Sequence, residues 1–286
     1  MFGMLNSRDN ALSVWNSGRS RERIAGWAGT MVQTLQKPGV WLRSALVWTG
    51  DLIVPPVCLD CRAALSDHHA LCAQCWRDIA FIRAPLCERL GIPLPFDTGG
   101  PTVSAAALAS PPDYDRARAA THFAGTARRL IHGLKFSDRQ EVRVLLGSWM
   151  LSAAHELLGD THLIVPVPLS RRRLFWRKFN QAAVLAHAIG RRSGLPVATA
   201  VLRRRRATRP QVGLTRAQRR ANVEGAFAVS KRRRALIEGH NILLIDDVIT
   251  TGATVNACAR ALKRAGAARV DVLAVSLVAG EVPMLP

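Results

Sequence analysis

The stretch NILLIDDVITTGAT, residues 241–254, constrains the chain more than any other. Its uncharged run Ile242 to Ile245 reads as a strand buried on both faces, the pattern of a parallel sheet covered by helices. Two adjacent carboxylates, Asp246 and Asp247, stand at the end of that strand, and VNACARALKRAGA continues with helical spacing after the threonine and glycine loop. In open α/β sheets ligands bind beyond the carboxyl ends of the strands. Paired carboxylates only accept hydrogen bonds, so they suit the vicinal hydroxyls of a sugar or a hydrated divalent cation. The start of the next helix offers unpartnered amides and the positive end of a dipole, which is an anion site. Gly252 lets the backbone approach that anion, and Thr250, Thr251 and Thr254 add hydroxyl donors. The segment therefore reads as a cradle for one phosphate with a sugar beside it. Two alternatives are that the acids only cap the helix, or that they hold a metal as in a nucleotide hydrolase. The chain contains no G-x-x-x-x-G-K-[ST] loop, which argues against the second.

Residues 115 to 280 alternate strand-like and helix-like segments. The expected strands are ARAATHF, HLIVPVP, LPVATAVL, NILLID and ARVDVLAVSLV; the expected helices are GTARRLIHGLK, QEVRVLLGSWMLSAAHELL, NQAAVLAHAIGRR and ATVNACARALKRAG. This order predicts an α/β domain with a mostly parallel sheet flanked by helices. No internal repeat is legible. NILLIDDVITTGAT resembles the phosphoribosyl-pyrophosphate (PRPP) motif of type I phosphoribosyltransferases. The resemblance implies that Asp246 and Asp247 meet the ribose hydroxyls, and that Thr250, Thr251, Gly252, Ala253 and Thr254 hold the 5′-phosphate.

IVPVPLSRRRLFWRKFNQ is a second buried strand followed by a cationic loop, adjacent to the first site if the two strands are neighbours. Arg171, Arg172, Arg173, Arg177 and Lys178 are the candidates to bind a pyrophosphate, with Mg²⁺ neutralising what remains. Taken alone, such a run is a solvated loop. The arginine runs at 171–173, 203–206 and 232–234 are all expected at loops or element ends. RRRRATRPQVGLTRAQRRANVEGAF is too long for an ordinary connection and reads as a lid. With FNQ it is similar to the ComF family, named for DNA uptake in bacterial competence and related to amidophosphoribosyltransferases. The likeness runs from about residue 45 to the C-terminus.

Cys58 and Cys61 in CLDC, and Cys72 and Cys75 in CAQC, form two knuckles spaced to converge on one Zn²⁺. Arg62 and Arg77 are nearby cations to ease the thiolate charge. A pair of disulfides or a redox C-x-x-C is the alternative. His68 and His69 between the knuckles read as solvated loop residues. Proteins of the ComF family carry a second cysteine set downstream, forming a double zinc ribbon. Here Cys87 remains, with Leu90, Ser104 and Ala107 near the positions of its partners, so the resemblance implies one structural zinc rather than two. Cys87 and Cys258 read as small buried apolar residues.

Forty Lys and Arg against twenty Asp and Glu give a formal charge of +20. That excess suits phosphate-bearing partners, although an arginine-rich codon bias accounts for it as well. The expected organisation is a disordered extension over 1–21, short helices over 22–57, a zinc-ribbon module over 58–112 and a phosphoribosyltransferase-like domain over 113–286. Neither a secretory signal nor a membrane span is legible, and the cytoplasm is the expected location. The function so implied is binding of PRPP or a related phosphoribosyl ligand, with phosphoribosyl transfer and pyrophosphate release. The alternative is a non-enzymatic PRPP or nucleotide sensor, or a DNA-handling factor. Further expected partners are DNA, bound without sequence preference, and proteins of the competence machinery. No general base and no acceptor substrate is legible.

Overall fold

The computed structural model describes residues 55–136, 141–177, 179–205 and 225–278, with the side chains of Phe136, Arg171, Arg172 and Arg173 outside that description. The expected disordered extension over 1–21, most of the expected short helices over 22–57 and most of the expected lid, 206–224, lie outside the described residues.

Strands β1 (Ala117–His122), β2 (Leu163–Pro166), β5 (Asn241–Ile249) and β6 (Arg269–Leu277) form a wholly parallel sheet in the order β1-β6-β5-β2. A separate antiparallel ribbon joins β3 (Leu202–Arg204) to β4 (Phe227–Val229). The helices are α1 (Ala73–Arg77), α2 (Ala105–Ala109), α3 (Gly125–Phe136), α4 (Val142–Ala153), α5 (His155–Leu158), α6 (Arg171–Arg177), α7 (Gln181–Ser193) and α8 (Ala253–Arg264), with a 3-10 helix at Lys231–Leu236.

Successive residues of a strand face opposite sides, and β5 divides its side chains accordingly. Ile242 and Leu244 pack in one core layer with Val255, Cys258 and Leu262 of α8, whereas Leu243 and Ile245 pack in the other with Leu130 and Leu134 of α3, Leu146 of α4 and Leu185 of α7. Both faces are covered, which is why the strand carries no charge before Asp246. The edges are covered as well. Ile82 and His122 exchange backbone bonds with Ala120 and Ala80 along β1, and Pro196 and Ala198 bond Ile164 along β2. Paired edges of this kind remove open donors and acceptors that would recruit another chain.

Four sequence expectations are corrected. LPVATAVL is not a strand of the sheet: it contributes a single bridge, Val197 to Ile164, because Pro166 of β2 has no N–H to donate to Ala198 O and the chain turns at Thr199 and Ala200, leaving only Leu202 to enter β3. The long helix expected over 140–158 is interrupted at Ala154, whose φ of −100° and ψ of 2° leave the helical region. RRRLFWR is helix α6 rather than loop, whereas Arg203 and Arg204 stand at the end of β3 as expected. The sequence also contains a structural repeat that its side chains conceal, described below.

Candidate functional site

Pairing between β2 and β5 ends at Pro166 and Ile245, while β5 continues against β6 to Ile249. Asp246 and Asp247 thus lie on the stretch of β5 left open on the β2 side. The crevice there is a cavity of about 210 Å³ lined by both acids, by Thr250, Gly252, Ala253 and Thr254, by Arg177, Asn180 and Gln181, and by Lys135 and Arg204. Because consecutive strand residues face opposite sides, Asp246 follows Leu244 toward the α8 layer and Asp247 follows Ile245 toward the α3 layer. The Asp247 amide donates to Asp246 Oδ1 at 2.9 Å. Lys135, in the last turn of α3, meets Asp247 Oδ2 at 2.7 Å. Burial first, and then the charge of Asp247, push the Asp246 carboxyl up to about 7, against the Asp247 amide and Lys135, which favour the anion.

Gly252 sits at φ +72° as the residue before α8, and a Cβ there would come 3.2 Å from Asn256 Nδ2. That amide donates to Gly252 O at 2.9 Å and fixes the turn. Thr251 Oγ1 is buried without a hydrogen-bond partner, and so is Gln181 Nε2 in a side chain 1% exposed. Buried polar atoms are rarely left unpaired, so both await a polar ligand or ordered water. Gln181 opens α7, whose N-terminus faces the same cavity: Asn180 Oδ1 accepts from the Ala182 amide at 3.2 Å, and Arg177 donates to Gln181 Oε1 at 3.2 Å. Two helix N-termini, two carboxylates and three cations therefore converge. Of the expected site residues, the acid pair, Thr250, Gly252, Ala253, Thr254 and Arg177 line this cavity, and Thr251 lies in the same loop. The side chains of Arg171 to Arg173, and Lys178 entirely, are outside the described residues. Lys135, Gln181 and Arg204 were not anticipated. Arg204 was hidden inside an arginine run, and only its place in β3, with its guanidinium 5.3 Å from the Phe227 ring, distinguishes it.

The thiols of Cys58, Cys61, Cys72 and Cys75 all lie within 4.8 Å of one another. Cys61 Sγ and Cys72 Sγ are 3.6 Å apart, near the roughly 3.8 Å expected for sulfurs sharing a tetrahedral zinc at about 2.3 Å. None of the six cysteines is paired in a disulfide, and the 3.6 Å between Cys61 Sγ and Cys72 Sγ is well beyond the roughly 2.05 Å of an S–S bond. Burial opposes ionisation of Cys58, yet amides of Cys72, Asp60 and Cys61 outweigh it and hold the thiol near 6. The donor set fits a structural zinc. His68 and His69 are exposed and outside the cluster. Arg129 of α3 is a further cation beside the knuckle, bound to Asp60 at 2.7 Å and to Asp78 at 3.0 Å.

A second knuckle repeats the first. The Cys58 amide donates to Ala63 O at 2.8 Å and the Cys87 amide to Ile92 O at 2.8 Å; Arg62 and Gly91 return to Cys58 O and Cys87 O. Val57 bridges Ala64 as Leu86 bridges Pro93. The residue after each knuckle has positive φ, 67° at Arg62 and 64° at Gly91. The Cys72 amide donates to Cys58 Sγ at 3.3 Å, the Ser104 amide to Cys87 Sγ at 3.2 Å. Cys72 and Ser104 then cap the short helices α1 and α2. Leu90, Ser104 and Ala107 thus stand where Cys61, Cys72 and Cys75 stand in the first ribbon. One thiol with an isobutyl, a hydroxyl and a methyl group does not make a zinc site. Arginines hold this second ribbon instead: Arg118 donates to Glu88 O and pairs with Glu88 and Glu156, while Arg89 donates to the carbonyls of Pro112 and Tyr114.

The chain matches the double zinc ribbon domain over residues 49–107 and the phosphoribosyl transferase domain over 182–280. With the parallel sheet and the cysteine cluster, these define a phosphoribosyltransferase-type α/β fold preceded by a zinc-ribbon module. The DNA utilization protein YhgH of Escherichia coli O157:H7 is 34% identical over 227 residues, covering 77% of this chain and 96% of that protein. Competence protein F of Haemophilus influenzae is 29% identical, covering 75% and 94%, and competence protein ComFC of Bacillus subtilis is 35% identical over 135 residues, covering 47% and 52%. The chain belongs to the ComF family. A solved glutamine PRPP amidotransferase of Bacillus subtilis is 23% identical over 47% of this chain and 26% of its own, with a TM-score of 0.32. The family assignment rests on the sequence relatives and not on that structure. Among the described residues no helix is long and apolar enough to cross a membrane.

Proposed function

We propose that the cavity at the end of β5 binds PRPP or a closely related phosphoribosyl ligand with Mg²⁺, and that the chain transfers the phosphoribosyl group with release of pyrophosphate. The supporting observation is the convergence in one cavity of an acid pair, the N-terminus of α8 and a set of cations. Asp246 and Asp247 would accept the ribose 2′ and 3′ hydroxyls. Thr250, Thr251, Gly252, Ala253 and Thr254 would hold the 5′-phosphate, where the unpaired Thr251 hydroxyl gains its partner. Arg177 and Gln181, with Arg171, Arg172, Arg173 and Lys178 on the same connection, would receive the pyrophosphate. The acid pair supplies oxygen donors suited to a hydrated Mg²⁺, and the chemistry the ion supplies when bound is charge neutralisation at the leaving pyrophosphate. Catalysis then rests on preorganised donors around the departing group, since bond breaking at C1 of ribose develops charge on both fragments. No side chain in the cavity stands out as a general base for an acceptor. The ribbon would hold one structural zinc through Cys58, Cys61, Cys72 and Cys75.

The test is calorimetry with Mg²⁺-PRPP on the wild type and on the double variant Asp246→Asn, Asp247→Asn. Each change keeps size and removes an anionic acceptor, so affinity is expected to fall at least tenfold in a protein that keeps its zinc and its fold. Equal affinity in the two would remove the site assignment. Pyrophosphate release screened across amine and nucleobase acceptors then separates an enzyme from a PRPP or nucleotide sensor. A DNA-handling role in the cytoplasm, beside competence proteins, is the second reading. It is favoured by the exposed cations Arg203, Arg205 and those of the 3-10 helix, and by the names of the relatives.

A further inference from the structure

Lys135 is the side chain in the cavity whose position is least explained by phosphoribosyl recognition alone. It ends α3, an element outside both the acid-pair strand and the phosphate loop, and it reaches Asp247 Oδ2 at 2.7 Å with only 17% of its side chain exposed; Asp247 is 16% exposed. Both charges are thus largely withdrawn from water, and each depends on the other. Breaking such a pair strands a charge, which is costly unless a new partner arrives. Its location is fixed from the far end of the same helix. Thr126 and Arg129 of α3 bind Asp78, and Arg129 forks onto Asp60 inside the first zinc knuckle. Helix α3 is therefore anchored at one end by the ribbon and delivers an ammonium at the other.

Three kinds of ligand can approach this pair. A neutral sugar offers hydroxyl donors to Asp247 but only a neutral acceptor, and no charge, to Lys135. A bare divalent cation attracts Asp247 but repels Lys135. A ligand carrying both a diol and an anionic group satisfies the two charges together. We propose that Lys135 is a specificity-determining residue of the site, an internal counter-ion that holds Asp247 until a ligand brings a sugar diol for the carboxylate and an anion for the ammonium. This rests on the phosphoribosyl reading above for the ligand, but the exclusion of bare cations is a property of the ion pair alone.

The experiment uses the zinc-loaded full chain as wild type, Lys135→Met, Lys135→Arg and the double variant Lys135→Met, Asp247→Asn. Two probes are read: Mn²⁺ alone, by electron paramagnetic resonance, and Mg²⁺-PRPP, by calorimetry. Far-ultraviolet circular dichroism and zinc content establish that each variant is folded. Lys135→Met is expected to bind one Mn²⁺ at least tenfold more tightly than wild type, to lose that gain when Asp247 becomes Asn, and to bind Mg²⁺-PRPP at least tenfold more weakly. Lys135→Arg, which keeps the cation, is expected to return both readings toward wild type. Equal Mn²⁺ binding by wild type and Lys135→Met overturns the counter-ion, and unchanged PRPP affinity in Lys135→Met overturns its role in specificity. If wild type ignores PRPP while Lys135→Met still gains the Mn²⁺ site, the counter-ion stands and the phosphoribosyl reading alone falls.

Discussion

At the scale of residues, the two acids of β5 are chemically unequal although adjacent. Asp247 has an ammonium at 2.7 Å, whereas Asp246, half-buried beside Asp247, is pushed up to about 7 by desolvation and by that neighbouring charge. A carboxyl whose folded value is raised binds a proton in the native state that the unfolded chain has already released. Its contribution to stability is therefore fully present below the unfolded value near 4 and is lost as pH rises through about 7. Asp246→Asn removes that dependence. The ligand-free variant should be more stable than wild type, and its advantage at pH 7.5 should exceed its advantage at pH 5 by about 1 to 3 kcal/mol, an estimate lowered by the partial solvent access of the site. Urea unfolding at the two pH values reads this directly, and an advantage that does not grow with pH would contradict it. The place of the acids was legible because an apolar run followed by charge marks a strand end. Their inequality was not, because Lys135 lies far away in sequence and only the packing of α3 brings it to Asp247.

Elements were legible where a period was written into the side chains. Helices α3, α7 and α8 and strands β1, β2, β5 and β6 follow the expected segments, since amphipathic spacing or a continuous apolar run announces them. LPVATAVL has the composition of a strand and fails beyond Ala198, where Pro166 of β2 lacks the donor that would extend the pairing and the chain turns despite its β-branched residues. The second ribbon was legible only through the family resemblance, because its shape is carried by backbone hydrogen bonds that are indifferent to side chains, so Leu90, Ser104 and Ala107 keep the geometry without the ligands. That preserved backbone leads to a test. Leu90→Cys, Ser104→Cys and Ala107→Cys together should rebuild a four-thiol site around Cys87, and elemental analysis of reduced protein should rise from one zinc per chain to two. Because a bound structural zinc stabilises the folded state, the unfolding midpoint of the triple variant should also rise with added zinc. A folded triple variant that stays at one zinc would show that the second ribbon only resembles the first.

For the whole molecule, the charge of +20 is unevenly used. Lys135, Arg177 and Arg204 face the cavity, and Arg116, Arg118 and Arg129 are committed to acidic partners. By contrast Arg203 and Arg205 on the outer side of the β3 ribbon, and Lys231 to Arg234 on the 3-10 helix after β4, are exposed. The Ser230 amide bonds Val201 O, so the two groups of cations flank one short ribbon. Exposed arginines without a groove-reading helix among the described residues favour phosphates over bases, and phosphate contacts fix position without reading sequence. Any binding of DNA by this chain is therefore expected to be electrostatic. Each neutralised phosphate contributes about 0.9 to the slope of log affinity against log salt for duplex DNA, so Arg232→Ala, Arg233→Ala and Arg234→Ala together should reduce that slope by up to about 2.7. The same variant should bind Mg²⁺-PRPP as wild type does, because none of the three lines the cavity. Salt titrations with two unrelated duplexes of equal length check both halves. A preference above about tenfold, roughly 1.4 kcal/mol, for one duplex would mean that bases are read, and an unaltered slope would place the DNA surface elsewhere.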